Sequence, residues 1–286
     1  MKILSCGAGM QSTALALMSC ANKIINDGKS DDFEFTYNKE VPIYDAILFC
    51  DLGLEPAWVM DQVRFIQQAC EWAEIPFYIL KSTLYEDYIN DFGNKRVTSI
   101  PFWSIDEDGK KGKMMRNCTL DYKITLMQNF VRWNLLGYKK GQHTKSEDIK
   151  AHEMHLGFSK EEEHRCKENH HKMFVNKFPL CEMGATRADN YAYIKDVWGL
   201  ETKASACCFC PFHTNYFFHY IRNHNKEEYQ KTVEFDQLLE EKQPQTKIRS
   251  KLYISKSRKR IKDLLPEECQ DKECFLYCGE EIWNGF

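Results

Sequence analysis

The sequence predicts an α/β protein: a parallel sheet with helices on both faces, continued by a mostly helical, cysteine-bearing C-terminal part. Three observations predict it. A short apolar run ends in glycines and leads directly into a helical pattern. Two further apolar runs bracket a second helical pattern. The later half then loses that alternation and gains clustered thiols. On this reading the chain divides into an α/β domain at 1–200 and a helical cysteine-rich region at 201–286.

The elements follow in order. Ile3 and Leu4 begin a strand that breaks at Cys6-Gly7-Ala8-Gly9. From Gln11 to Ile25 apolar residues recur at helical spacing, and Asn26 to Glu40 reads as a polar loop. Tyr44 to Cys50 is a largely apolar run of the kind buried in parallel sheets. Pro56 to Glu74 is helical in pattern with proline just inside its start, and Phe77 to Leu80 reads as a third strand. Short connections between such elements imply right-handed crossovers.

Lys95 to Lys113, rich in glycine, proline and charge, reads as a long excursion. Leu120 to Leu136 is helix-like, Lys150 to Gly157 is a candidate strand, and a charged helix is expected from Ser159. Thr186-Arg187-Ala188-Asp189 is a capping-box signature for a helix ending near Gly199. Tyr216 to Glu241 is again helical, with a turn near Asn223.

Composition narrows the function classes. The 286 residues carry a formal net charge of −3, with 43% hydrophobic and 28% charged residues, which suits a globular chain and argues against disorder. No global basic field exists, so nucleic-acid contact requires a local patch. No apolar run reaches the roughly 18 residues of a membrane span, and the first residues meet a glycine turn too early for a signal peptide. A cytoplasmic protein is expected. Thirteen unevenly spaced cysteines then point to metal ligation or catalysis rather than a disulfide scaffold.

The first chemical signal is Ser5-Cys6-Gly7-Ala8-Gly9-Met10-Gln11-Ser12-Thr13. A strand, a glycine turn and a helix put unpaired backbone N–H groups at a helix N-terminus, a ready anion site. Ser12 and Thr13 add hydroxyl donors. The GK[ST] ending of a Walker loop is missing, and Ser12 stands where the third glycine of GxGxxG belongs. A tight strand–helix turn with no ligand has the same spacing. Asp51 and Gly53 end the second strand, where an open sheet places its ligand crevice. Asp51 there faces a nucleotide or caps the next helix.

The second signal is thiol density. Cys207-Cys208-Phe209-Cys210 contains a CxxC, Cys118 lies in Arg116-Asn117-Cys118-Thr119, and Cys269, Cys274 and Cys278 crowd the tail. Such thiolates suit zinc or an iron–sulfur cluster, and a redox pair has the same spacing. Cys20 and Cys70 lie in apolar helical patterns and read as packed core thiols.

These segments together resemble the phosphoadenosine phosphosulfate reductase family of the PP-loop ATP-pyrophosphatase superfamily, its divergent bacterial and phage members above all. Ser5 to Thr13 is similar to that family's phosphate loop, and Phe49 to Glu55 (FCDLGLE) to its "DTGxE" segment. Arg116-Asn117-Cys118-Thr119 with Tyr122-Lys123 resembles "RxCT..YK". Leu156 to Ser159 with Glu162 and Arg165 resembles "GIS..E..R". Pro179-Leu180, Gly184, Thr186 and Arg187 resemble "PL…G.TR", and Ser205 to Phe212 resembles "SAC..CPF". The segments occur in family order.

The resemblance implies a Rossmann-like fold of the adenine nucleotide alpha hydrolase type and an ATP site, with Mg2+, formed by Ser5, Gly7, Ala8, Gly9, Gln11, Ser12, Thr13, Asp51, Gly53 and Arg187. It also implies a 4Fe–4S cluster on Cys118, Cys207 and Cys210, with Cys278 or Cys274 as fourth ligand or the fourth iron left open; zinc is the competing metal. Arg116, Lys123 and Arg187 are candidate phosphate or substrate contacts, Arg116 and Lys123 being counted with Cys274 as catalytic candidates. Where the family loop reads "SGGxDS", Gln11 replaces the Asp, removing a carboxylate that helps to organise magnesium or nucleotide.

The expected activity is adenylation of a substrate with pyrophosphate release, serving sulfur transfer or nucleobase modification. Two alternatives stand beside it. One is a sulfonucleotide reductase with Cys274 as nucleophile. The other is a zinc-stabilised nucleic-acid-binding protein with an inactive loop. Lys247 to Lys262 carries eight basic residues and no acidic one, as contacts for tRNA or DNA phosphates, a clamp for a triphosphate, or a solvated helix face or ordered tail. A sulfur- or electron-donor protein and self-association into a homo-oligomer complete the expected partners. His152 and His155, three apart in a strand, point to opposite faces and read as structural.

Overall fold

A computed structural model describes residues 1–30, 33, 38, 40–92 and 99–268. The chain separates into two compact units that interleave along the sequence: Met1–Cys50, Ala57–Leu80 and Met127–Ser205 form the first, and Asp51–Pro56, Lys81–Leu126 and Ala206–Phe286 the second. The division differs from a single cut after residue 200, because segments 51–56 and 81–126 group with the C-terminal part. Among the described residues no helix is long and apolar enough to cross a membrane.

The first unit is built on β1 (Lys2–Cys6), α1 (Met10–Asn26), β2 (Ala46–Asp51), α2 (Ala57–Ala73) and β3 (Phe77–Lys81). All five lie within a residue or two of the segments expected from periodicity. A short α3 (Leu84–Asp91) follows β3. The sheet order is β3-β2-β1, extended on the other side of β1 by two later strands. β1 pairs in parallel with β2, Ile3 opposite Ala46. Ile3, Leu4, Ile47 and Leu48 have no exposed surface, and α1 buries Ala14, Leu15, Ala16, Leu17, Cys20 and Ala21 completely. Cys20 and Cys70 meet in this core at 3.7 Å, as core thiols should.

Regions of weaker regularity depart from expectation. The excursion before residue 113 contains a hairpin, β4 (Trp103–Ile105) and β5 (Lys111–Lys113), antiparallel to each other. The helical stretch near 120–136 holds a regular core, α4 (Thr125–Phe130), between π-helical turns at Thr119–Ile124 and Val131–Leu135. The expected strand is β6 (His152–Leu156), and it pairs in parallel with both β1 and β7 (Phe174–Lys177), a strand the sequence reading missed. The charged segment after Ser159 is only a 3-10 turn, Lys160–Arg165, because Glu162 turns inward and is buried. A single turn, α5 (Pro179–Glu182), precedes α6 (Arg187–Trp198). The capping box of Thr186 and Asp189 is formed, and Gly199 stops α6 in the left-handed conformation.

The second unit contains α7 (Asn215–His224), α8 (Lys226–Lys242) and β8 (Lys251–Tyr253). The break between the helices falls at Asn225, whose side chain accepts the N–H of Glu228. β8 joins the hairpin as a second, three-stranded sheet of order β5-β4-β8. The core here is aromatic: Phe235 stacks on Phe209 at 4.7 Å and on Tyr85 at 5.9 Å, and Tyr88 and Phe102 pack alongside.

The basic stretch is not a helix face but an ordered segment that runs through β8 and a 3-10 turn, Ile261–Asp263. Arg260 is buried and ion-paired with Asp236 at 3.0 Å, and Arg258 donates to the carbonyls of Ser104 and Gly112. Those two side chains hold the fold, while Lys247, Arg249, Lys251, Lys256, Lys259 and Lys262 are exposed.

Candidate functional site

The chain leaves β1 in one direction towards β2 and β3 and returns on its other side as β6 and β7. β1 and β6 are neighbours, so the carboxyl ends of these two strands form the point where strand order reverses, the usual place for a ligand crevice. The glycine turn follows β1 there, and Gly157 follows β6.

Ala8 takes a left-handed φ of +53°, a conformation costing of order 1 kcal/mol for a residue with a Cβ. Buried Gln62 holds it: its amide donates to the carbonyl of Ala8 at 2.6 Å and accepts the N–H of Lys203 at 2.5 Å. Gly9 is the N-cap of α1 and no side chain caps the helix, so its first amides are left to another partner. A Cβ on Gly9 would lie 2.6 Å from the Ser205 hydroxyl, and one on Gly157 would lie 2.7 Å from the backbone nitrogen of Ser12. The Ser205 side chain at Gly9 and the backbone of Gly157 at Ser12 thus close on the first turn of α1, leaving no space for a Cβ at either glycine.

The hydroxyls are placed differently from expectation. Ser12 accepts the N–H of Gly7 at 3.1 Å and donates to the carbonyl of Gly9 at 3.2 Å, closing the turn on itself. Thr13 is fully buried and its hydroxyl has no hydrogen-bond partner. Ser5 donates to the sulfur of Met127. With Ser5, Ser12 and Thr13 so placed, the groups the turn leaves for a ligand are backbone amides.

Gln11, the residue that departs from the family loop, donates to the buried carboxylate of Glu162 at 2.8 Å. The same carboxylate pairs closely with Arg165 and, at 3.5 Å, with Arg187. Arg165 also lies over the ring of Phe158, 4.3 Å from its centroid. Glu162 therefore fixes two guanidinium groups beside the first turn of α1. The loop itself contains no carboxylate, and Glu162 is occupied by these donors.

Asp51 and Gly53 belong to the second unit. Asp51 accepts the N–H of Gly53 at 2.8 Å, the local turn-closing role, and Gly53 has a φ of +99° with Tyr85 Cβ 2.8 Å from where a side chain would begin.

The second unit also assembles the thiols. The carbonyl of Ser99 accepts the N–H groups of Asn117 and Cys118, fixing Cys118 at the start of a π-helical turn. Cys207 and Cys210 lie on a turn closed by the Cys210 N–H to the Cys207 carbonyl at 2.9 Å. Between them Cys208 points into the core with no exposed surface, its N–H bound to the carbonyl of Leu54.

The Cys210 thiol is held below its ordinary range by a hydrogen bond with Cys207, against its burial, and then by Arg116, the Phe212 N–H and Lys123. The Cys207 thiol is pushed up by the same hydrogen bond, by burial, and by the neighbouring charges of Cys210, Glu55 and Cys118. Burial raises Cys118 as well, with Arg116 opposing it. The three thiols thus interact as one group served by two cations, Arg116 and Lys123. Burial also raises the Glu55 carboxyl, and Lys123 opposes that shift.

Arg116 and Lys123, expected as phosphate or substrate contacts, lie close enough to Cys118 and Cys210 to favour their thiolates. Cys274 and Cys278 lie outside the described residues. Among the described residues no group of three or more His, Cys, Asp or Glu side chains is arranged to hold a metal ion. Gln62, which no motif marks, escaped the sequence reading.

No protein family and no curated protein matches the chain. Among solved structures it is similar to the U34-tRNA thiolase NcsA from Methanococcus maripaludis with its 4Fe–4S cluster. The identity is 14%, the match covers 84% of this chain and 72% of that one, and the TM-score is 0.36. A superposition that loose carries neither fold nor activity from one chain to the other.

Proposed function

We propose that the chain is an ATP-using enzyme of the PP-loop kind that adenylates its substrate and serves sulfur transfer or nucleobase modification, with an iron–sulfur cluster on its thiols. The observation that carries this reading is the thiol group itself. Cys118 joins a CxxC from a distant part of the chain, one thiol is eased towards the thiolate, and two cations stand ready to offset negative charge. The described thiols are not arranged around a metal ion, so the reading rests on residue type and charge: thiolates are the donors that the separate irons of a 4Fe–4S cluster take. Cys118, Cys207 and Cys210 would hold it, and bound there it would supply an iron site for sulfur chemistry. Cys274 or Cys278, both outside the described residues, is the candidate fourth ligand, unless the fourth iron stays open.

The nucleotide half rests on the uncapped start of α1. Its amides would meet the phosphates, and Arg165 and Arg187, fixed by Glu162, would balance charge as pyrophosphate leaves. In that step an acceptor oxygen of the substrate bonds to the α-phosphorus while the bond to the bridging oxygen breaks. Ordered amides contribute because they are set before charge develops and need no reorganisation.

Anaerobic purification with iron and zinc quantification tests the thiol half. Iron with a brown chromophore is expected; a colourless, zinc-loaded protein would sink the cluster. Radiolabelled ATP with RNA or DNA tests the chemistry. Pyrophosphate release dependent on the nucleic acid is expected, and its absence with every substrate counts against adenylation.

A further inference from the structure

We propose that the face of the β5-β4-β8 sheet bearing Lys111, Lys113 and Lys251 is a docking track for a single-stranded polynucleotide, an inference that rests on the nucleobase-modification reading above.

The pairing register defines the face. Lys111, Ile105 and Lys251 stand in one row across the three strands, and Lys113, Trp103 and Tyr253 in the next. Residues two apart on a strand share a face, so all six lie together on a patch about 10 Å on a side. Leu252, on the opposite face, is 1% exposed, whereas Lys251 is exposed and Tyr253 half-buried. One face therefore packs inward and the other carries cations between aromatic rings.

The rings order the cations. Lys113 lies 5.3 Å from the centroid of Trp103 and 5.1 Å from that of Phe212, and Arg258 lies 5.3 Å from Trp103. Arg258 is further fixed by its bonds to the Ser104 and Gly112 carbonyls on the two hairpin strands. Cations held this way lose less freedom when they meet a phosphate. Trp103 donates to the carbonyl of Pro211 at 2.7 Å, which ties the sheet to the turn that carries Cys210.

The track has a direction. From Lys113 the ring of Phe212 leads to Arg116, 5.4 Å from its centroid, and Arg116 serves Cys118 and Cys210. At the other end the hairpin turn carries Asp106, Glu107 and Asp108 and bounds the positive area; Asp106 is engaged with the N–H groups of Asp108 and Lys110. A chain of phosphates fits this arrangement because its charges repeat along a line. A single strand is the occupant chosen because its bases are reached without the unstacking and unpairing cost that a duplex imposes.

Fluorescence anisotropy with the full chain and labelled single-stranded RNA, single-stranded DNA and duplex of matched sequence tests the proposal. The double substitution Lys111→Glu/Lys251→Glu should weaken single-strand binding at least tenfold and flatten the logarithmic salt dependence by about 1.4, from about 0.7 per lost phosphate contact. Lys111→Arg/Lys251→Arg should bind as the natural chain does. Unchanged affinity on charge reversal overturns the proposal, as does equal competition by polyglutamate or tighter binding of the duplex. Pyrophosphate release separates the two readings. Weakened binding with no release by the natural chain keeps the track and removes the adenylation reading. Normal binding and release by the Glu variant does the reverse.

Discussion

The turn after β1 and the thiol group at Cys118, Cys207 and Cys210 handle charge by opposite means. In the first, backbone does the work: the Ser12 hydroxyl is spent on the turn, a left-handed alanine is clamped by Gln62, and the buried carboxylate of Glu162 is neutralised by Arg165 and Arg187. In the second, side chains do the work: burial opposes ionisation of the thiols, and at Cys210 the hydrogen bond with Cys207, then Arg116 and Lys123, favour it. A backbone site is vulnerable to volume, because a single Cβ collides with it. A thiol site is vulnerable to chemistry, because an isosteric oxygen fills the space and does not bind iron alike.

The largest effect follows from that contrast. Cys118→Ser, Cys207→Ser and Cys210→Ser should each abolish iron retention, measured as iron per chain after anaerobic purification. Cys208→Ala should retain full iron, because that thiol belongs to the core. Loss of iron on changing Cys208 alone would move the ligand set by one residue. Arg116→Gln should leave iron bound but slow alkylation of Cys210 by iodoacetamide in the apo-protein, since it removes a charge favouring the thiolate.

Gly157→Ala sharpens the other side. Its methyl group would meet the Ser12 nitrogen at 2.7 Å, backbone against backbone with no flexible end to yield. Overpacking of this kind costs about 1–3 kcal/mol, and nucleotide affinity by titration calorimetry should fall about tenfold to a hundredfold. Gly7→Ala, whose Cβ would find only the Ser12 hydroxyl at 4.0 Å, is the control and should fold normally. Iron content should be unchanged in both. Natural affinity in Gly157→Ala would show that the close approach is irrelevant to the anion site.

The same contrast explains what was legible in the sequence. β1, α1, β2, α2 and β3 are long apolar or amphipathic runs, so periodicity finds them, and Thr186, Asp189 and Gly199 announce both ends of α6. β4, β5 and β8 are three residues each, and β5 is Lys-Gly-Lys: too short and too charged for alternation to register. The motif cysteines were legible because ligand chemistry restricts residue type. Gln62 was not, because a polar residue on a helix ordinarily faces water. Glu162 was named only by resemblance, and its partners Gln11 and Arg187 are fixed by the fold. Cys166 and Cys181, which meet at 3.4 Å beside the carbonyls of Phe158 and Ser159, carry no spacing that announces the pair.

Gln11 offers a smaller but more discriminating test. Read as a defect in the family loop, it should be repaired by Gln11→Asp. The structure predicts the reverse: a carboxylate would replace an amide that donates to the Glu162 carboxylate, leaving two like charges together and a hydrogen bond to a charged group lost, about 2 kcal/mol. Melting temperature and nucleotide affinity should both fall, and the deficit should shrink as the pH is lowered and one carboxyl takes a proton. Improved nucleotide binding in Gln11→Asp would restore the defect reading.

The smallest expected effect concerns the sheet beneath the turn. His155 on β6 is 4% exposed, and burial lowers its pKa from the ordinary 6.5, with the Glu153 carboxylate at 2.9 Å only partly offsetting that. The imidazole is therefore neutral when folded and protonates more readily when unfolded. Its contribution to stability is present above pH 6.5 and is lost as pH falls from there through the folded value, at about 1.4 kcal/mol per unit of depression. The Glu153 carboxyl is itself lowered by this histidine, so its own contribution is lost only at more acid pH. Chemical denaturation between pH 7.5 and pH 5 should show the loss in the natural chain and a flatter profile in His155→Gln. Equal slopes in the two would place the acid sensitivity elsewhere. A loss confined to the natural chain would assign the acid sensitivity to His155 on β6, the strand that Gly157 follows.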